Sequence, residues 1–134
     1  MLLNALKDEI NIVASESDWA WPEAVRGIFR PRNVNLLVAD SAAEFVNIIR
    51  SRRIHTSIVD MDSGSGGLVT IRIIRVEYPL LPCILLASTA GENVLSKALE
   101  LDVFSVIDKP VDMRILKEQL NRLFIKRYNS DIFK

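Results

Sequence analysis

Three residues with complementary chemistry close three apolar runs. Thr56-Ser57-Ile58-Val59-Asp60 ends in a carboxylate. Cys83-Ile84-Leu85-Leu86-Ala87 is followed by the hydroxyl of Ser88. Val103-Phe104-Ser105-Val106-Ile107-Asp108 leads into Lys109-Pro110. A carboxylate is a nucleophile toward phosphorus, a hydroxyl can hydrogen-bond the transferred group, and an ammonium can neutralise its charge. Together they are what a phospho-accepting carboxylate needs. The runs have the length and apolar continuity of strands buried on both faces. In open α/β sheets, sites form outside the carboxyl ends of the strands. Asp60, Ser88 and Lys109 are therefore expected to meet at one edge of a parallel sheet.

The rest of the chain supplies the elements that would position them. Strand one is expected over Ile10 to Val13. Ser17 and Asp18 can cap the next helix, with Pro22 in its first turn. That helix should end near Arg30-Pro31-Arg32, because a proline disfavours helix at the residue before it. Strand two spans Val34 to Val38. Ser41-Ala42-Ala43-Glu44 has capping-box spacing and opens a helix to about Arg50, with Phe45, Ile48 and Ile49 on one face. Strand three is Thr56 to Asp60, and Ser63-Gly64-Ser65-Gly66-Gly67 reads as a loop. Leu68, Ile71 and Ile74 begin a helical face that stops before Pro79. Strand four is Cys83 to Ala87. Glu92 to Leu101 reads as a helix with Val94, Leu95, Ala98 and Leu99 inward. Strand five is Phe104 to Ile107. Asp112 caps a last helix whose stripe is Ile115, Leu116, Leu120, Leu123 and Phe124, and Asn129 to Lys134 is a polar tail expected to fray. Alternating βα units of this length predict an α/β class, with a doubly wound parallel sheet in a single domain over 1–134 and a core of about 8–127.

Composition narrows the function. Lys+Arg and Asp+Glu are 17 each, so no basic excess points to nucleic acid. No apolar stretch approaches the ~18–20 residues of a membrane span, and the N-terminus is too soon broken by charge to read as a signal peptide. A cytoplasmic protein is expected. Cys83 is alone, cannot form an internal disulfide, and sits in a buried run. His55, the single histidine, precedes strand three, away from the expected site, and reads as a loop residue. Trp19 and Trp21 are two apart, so they cannot both face the core of one helix. Arg50-Ser51-Arg52-Arg53 reads as a solvated helix end. No Gly-x-Gly-x-x-Gly or Gly-x-x-x-x-Gly-Lys-Ser/Thr motif supports nucleotide chemistry. Ala14-Ser15-Glu16-Ser17-Asp18 lacks the glycines of a flavin phosphate loop and carries two carboxylates that would repel phosphate.

The segment Ala98-Leu99-Glu100-Leu101-Asp102-Val103-Phe104-Ser105-Val106-Ile107-Asp108-Lys109-Pro110 resembles, without a gap, the corresponding stretch of the receiver domain of bacterial two-component response regulators. Ile58-Val59-Asp60-Met61-Asp62 resembles the strand end that bears the phospho-accepting Asp. Leu85-Leu86-Ala87-Ser88 resembles the strand ending in a switch Thr or Ser. The resemblance implies a flavodoxin-like receiver fold with strand order 2-1-3-4-5. It assigns Asp60 as phospho-acceptor, Ser88 (or Thr89) as switch hydroxyl and Lys109 as ion-pair partner. It implies no enzyme beyond self-phosphorylation of Asp60 from a phosphodonor. The implied partners are a histidine kinase or phosphotransfer protein and a downstream protein, with homodimerisation or docking through the helix 4–strand 5–helix 5 face.

The sequence also departs from that pattern. Ala14 and Ser15 stand where the family places the two acidic residues that hold Mg²⁺, a hard cation bound through carboxylates and water. A weakened Mg²⁺ site is expected, drawing on Asp60, Asp62 and Glu16. Val106 replaces the switch aromatic, and Gly64 replaces a proline. These departures keep a second reading open: a phosphorylation-independent pseudo-receiver acting as a protein-interaction module. The docking face would carry Lys97, Glu100, Asp102, Asp108, Lys117 and Arg122, a mixed-charge surface suited to polar association.

Overall fold

Five strands form one parallel sheet in the order β2-β1-β3-β4-β5: β1 (Ile10–Ser15), β2 (Val34–Ala39), β3 (Thr56–Asp60), β4 (Cys83–Ala87) and β5 (Ser105–Asp108). The computed structural model describes residues 9–15, 23–62, 67–88 and 92–134. Five α-helices are described: α1 (Glu23–Phe29), α2 (Ala42–Ser51), α3 (Gly67–Glu77), α4 (Glu92–Glu100) and α5 (Met113–Tyr128). A 3₁₀ turn, Arg30–Arg32, closes α1 at Pro31, as the proline requires. Ser17 and Asp18, the expected caps of that helix, lie outside the described residues together with Pro22, Trp19 and Trp21.

Side-chain alternation along the strands builds two apolar layers. Ile10, Ile12, Ala14, Ile58, Ile84, Leu86 and Ile107 meet Val25, Ile28 and Phe29 of α1 and Leu116, Leu120, Leu123 and Phe124 of α5. On the other face Val13, Val59, Cys83 and Leu85 meet Phe45 and Ile49 of α2, Ile71 and Ile74 of α3 and Ala98 of α4. Burial pushes the Cys83 thiol up to about 11, so at neutral pH it stays protonated and serves as a small apolar group.

Local chemistry sets the helix ends. Ser41 Oγ accepts the backbone N–H of Glu44 at 3.1 Å, and Asp112 Oδ1 accepts that of Arg114 at 2.8 Å, so both predicted caps form. Asn33, Asp102 and Asn129 adopt φ of 57°, 52° and 52°, ending the 3₁₀ turn, α4 and α5 in a region these short polar side chains tolerate.

Two apolar expectations are corrected. Leu95 and Leu99 were expected inward but are 44% and 83% exposed, while Ala98 is buried. At 100° per residue, Leu95 and Leu99 fall about 60° and 100° to one side of Ala98, and Leu101 about 60° to the other. The helix seats on Ala98 and Leu101 and leaves the two leucines on its outer flank. Ile115 likewise lies outside the stripe of α5, at 44% exposure. The Val94 side chain lies outside what is described.

The C-terminal tail is corrected as well. Phe133 is 1% exposed. Its ring packs edge-on against Phe124 and Phe29, with centroids 4.9 and 5.9 Å apart. The Arg32 guanidinium lies 5.9 Å from the same ring, and its Nε donates to the Ile132 carbonyl at 2.9 Å. The apolar core thus extends past residue 127 to Phe133.

His55 lies at the opposite edge of the sheet from Asp60, about 16 Å away along β3. It is a loop residue, as expected, but a buried one. Its Nδ1 accepts the Asn11 N–H at 3.2 Å, its ring meets Tyr128 edge-on, and its carbonyl accepts the Tyr128 hydroxyl. Nε2 is buried without a hydrogen-bond partner among the described residues. Burial, and then the charge of Arg53, hold its pKa below the ordinary histidine value. The unfolded chain therefore takes up a proton at higher pH than the folded one. Stability should be complete above the unfolded pKa of about 6.5 and fall below it, at up to about 1.4 kcal/mol per pH unit. Urea unfolding between pH 7.5 and pH 5.5 (about one unit either side of that value) checks this. His55→Gln should flatten the curve in that window, and an unchanged slope would show that other groups set it.

Candidate functional site

Parallel pairing brings the strand ends level. Asp60 pairs in register with Leu86, and Ala87 with Asp108. Met61 N–H donates to the Leu86 carbonyl at 2.8 Å, and Lys109 N–H to the Ala87 carbonyl at 2.9 Å, carrying the chain one residue past each strand before it turns away. The Lys109-Pro110 peptide is cis. Asp60, Ser88 and Lys109 are thereby delivered to a single edge.

Lys109 Nζ lies 2.8 Å from Asp60 Oδ2 and 3.5 Å from Asp62 Oδ2. The Asp60 side chain is 3% exposed and that of Lys109 15%. Asp60 Oδ1 accepts the backbone N–H of Asp62 at 2.8 Å, and the Asp60 N–H donates to Ser15 Oγ at 3.2 Å. Ser88 enters the cluster through its backbone N–H, which donates to Asp62 Oδ2 at 2.7 Å. For Lys109, burial lowers the pKa and is the largest single cause. The hydrogen bond and charge of Asp60, with those of Asp62, outweigh it, so the net shift is upward. Hydrogen bonding by the Ser88 hydroxyl is the main reason the Asp62 carboxyl lies below the ordinary aspartate value, with the Ser88 N–H and Lys109 adding to it. One ammonium thus serves two carboxylates.

Three contributions were not legible as site features. In the sequence Ser15 marks only a missing carboxylate, yet its hydroxyl holds the backbone of the candidate acceptor. Asp62 is expected as a metal carboxylate, and its bond to Ser88 carries no sequence signal. Gly67 is expected in the loop and instead opens α3. A Cβ there would lie 2.6 Å from the Asp60 carbonyl oxygen and 2.9 Å from Met61 Cα. Only glycine lets α3 start this close to the acceptor strand. The Gly66-Gly67 pair just ahead of an apolar helical face was the available signal.

The donor set falls short of what Mg²⁺ needs. Ala14 is a buried methyl in the core and Ser15 is committed to Asp60 N–H. Asp60 and Asp62 both face Lys109, and no group of three His, Cys, Asp or Glu able to hold a metal ion occurs among the described residues. Glu16 and Thr89 lie outside them. The described residues therefore do not fit a complete Mg²⁺ site.

The sheet order, the helices on both faces and the acidic edge beside a Lys-Pro turn define a flavodoxin-like receiver fold. The family model of the response regulator receiver domain matches residues 12–121. The chain belongs to that family, the receiver domains of two-component signalling. No curated protein matches it. Among solved structures, the fold is similar to a response regulator receiver domain protein from Methanospirillum hungatei. There the TM-score is 0.80 and the identity 17%, over 91% of this chain and 98% of the other. A signal receiver domain of an HD domain-containing protein from Pseudomonas fluorescens gives a TM-score of 0.79 at 19% identity, over 92% and 100%. A response regulator receiver protein from Pseudomonas putida gives 0.75 at 24%, over 86% and 98%. No helix among the described residues is long and apolar enough to cross a membrane.

Proposed function

We propose that this chain is an atypical receiver domain whose phospho-acceptor is Asp60 and whose output is protein–protein contact. The observation that carries this reading is the buried Asp60 carboxylate 2.8 Å from the Lys109 ammonium. A carboxylate oxygen of Asp60 attacks the phosphorus of a phosphohistidine, or of a small acyl phosphate. The new O–P bond forms as the P–N or P–O bond breaks, and the leaving group departs with that bond's electron pair, an imidazole regaining its proton from solvent. The acyl phosphate formed gains negative charge, which Lys109 offsets. Ser88 stands beside the transferred group as the switch hydroxyl. With Asp62 Oδ2 engaged by the Ser88 N–H and Lys109, Mg²⁺ would rest on Asp60 and Glu16 and would bind more weakly than in receivers with the acidic pair. The phosphoryl source is a histidine kinase or phosphotransfer protein, in a cytoplasmic setting.

Output runs through α4, β5 and α5. Charged Lys97, Glu100, Asp108, Lys117 and Arg122 lie on these elements and Asp102 on the turn between α4 and β5, and the exposed Leu95 and Leu99 add an apolar ridge on α4. Neighbours four apart on a helix form one contact strip, which suits a downstream protein or a second copy. Val106 is half-buried and has no ring to swing between states, so coupling from Asp60 to this face is expected to be modest.

The test is incubation with acetyl phosphate and excess Mg²⁺, followed by intact-mass measurement. Wild type should gain one hydroxylamine-labile phosphoryl group, and Asp60→Asn should gain none. Equal labelling of the two, or none in either, would remove Asp60 as acceptor. The second reading, a phosphorylation-independent interaction module, would stand if neither protein is labelled. Ala14 and Ser15 in place of carboxylates are what favour it.

A further inference from the structure

Asp62 brings a second anion to the pocket, and its contacts are those a transferred phosphoryl group would need. It lies two residues past Asp60, where the chain leaves β3. A single oxygen, Oδ2, accepts the Ser88 N–H at 2.7 Å and lies 3.5 Å from Lys109 Nζ. Its own N–H donates to Asp60 Oδ1 at 2.8 Å. The residue therefore ties the end of β3 to the first residue after β4 and to the lysine after β5. A backbone N–H and an ammonium converging on one oxygen form a charge-assisted anion site. A phosphoryl group on Asp60 would place its oxygens within a bond or two of the carboxylate already 2.8 Å from Lys109. It would draw on the same lysine and on Ser88, the residue assigned as the switch hydroxyl.

Resting on the assignment of Asp60 as acceptor, we infer that Asp62 is a built-in anion. It holds Ser88 and Lys109 in the arrangement that a phosphoryl group on Asp60 would otherwise have to induce. Because it is tethered two residues away, it competes at the high effective concentration of an intramolecular group. An added anion shifts a conformational equilibrium only through contacts that differ between the states. With both donors already engaged, that difference is small. The Asp62 side chain is 39% exposed, so an incoming anion can displace it into solvent. The resulting bias is graded: Ser88 at the end of β4 is set in advance, and the response to Asp60 is damped.

The test uses the full chain, ¹⁵N-labelled, as wild type, Asp62→Ala and Asp62→Asn, each with and without beryllofluoride and excess Mg²⁺. Without beryllofluoride, the Ser88 amide resonance should move in Asp62→Ala more than any amide not adjacent to residue 62. Asp62→Asn, which keeps a carbonyl acceptor and the same shape, should move it less in the same direction. Beryllofluoride should bind Asp62→Ala about tenfold or more tighter than wild type, the worth of one charge-assisted hydrogen bond. It should also shift Ser88 further in the variant. A Ser88 amide indifferent to Asp62→Ala would overturn the inference. So would equal beryllofluoride affinity in wild type and Asp62→Ala when Asp60→Asn abolishes both, and that result would leave Asp60 as acceptor. If no protein binds beryllofluoride, the acceptor assignment fails, and the Ser88 amide in the unliganded proteins alone decides the role of Asp62.

Discussion

Replacing Phe133 by Ala should lower the unfolding free energy by about 3–5 kcal/mol, the usual cost of deleting a fully buried aromatic ring. The ring is 1% exposed and lies between Phe29 at the end of α1 and Phe124 on α5. Removing it opens a cavity against two helices that share one face of the sheet. Partial collapse is limited because the tail backbone is tied down independently: Arg32 Nε holds the Ile132 carbonyl and Lys134 N–H donates to the Asp131 carbonyl. Arg32→Ala should cost less, about 2 kcal/mol, for part-buried hydrogen bonds to the Ile28 and Ile132 carbonyls, an exposed one to the Lys134 carbonyl and a cation–π contact. Urea unfolding of the three proteins at neutral pH measures both. A loss below about 1 kcal/mol for Phe133→Ala, well under the cavity range, would place the tail outside the cooperative core.

That residue also shows where reading from sequence stops. Phe133 stands in Asn129-Ser130-Asp131-Ile132-Phe133-Lys134, a polar stretch with no period to exploit, and its burial arises from tertiary contacts with α1 and α5. The strands behave oppositely. Each is a short apolar run whose alternation is dictated by two covered faces, so β3 and β4 match their expected bounds and the others differ by a residue or two. Helix orientation lies between these cases. In α4 two apolar stripes share the same 3.6-residue period, one through Ala98 and Leu101 and the other through Leu95 and Leu99. Periodicity cannot choose between them; the small Ala98 against the sheet does.

The candidate site was legible to the same extent and for the same reason. Asp60, Ser88 and Lys109 were placed together because strand ends in a parallel sheet share an edge. Hydrogen bonds made by the turns beyond those ends were not legible. Ser15 holding the Asp60 N–H, Asp62 reaching the Ser88 N–H and Gly67 admitting α3 against the Asp60 carbonyl all depend on backbone paths set by the packed sheet.

Lys109→Ala should destabilise the protein by about 3 kcal/mol at neutral pH, the lower part of the range for removing one partner of a buried ion pair. Asp60 is almost fully buried and keeps the Asp62 N–H as a donor, but the cation that offsets both carboxylates is gone. Asp62 is 39% exposed, so water screens its share of the repulsion and holds the loss to that lower part. The raised pKa of Lys109 fixes the sign of the pH dependence. Its contribution is present in full below the unfolded lysine value of about 10.4 and lost as pH rises through the folded value, so it is constant across the neutral range. Asp60→Asn in the Lys109→Ala background should recover much of the loss, because the charge left without its cation is then absent as well. The coupling from this double-mutant cycle should exceed about 1 kcal/mol, as expected of residues in direct contact. Lys109→Arg keeps a positive charge, but its planar fork is built for bidentate pairing with one carboxylate rather than sharing between two. It should fall between wild type and Lys109→Ala. Additive single losses in the cycle would mean that Lys109 contributes by packing alone, and the electrostatic basis of the Asp60 site would fail with it.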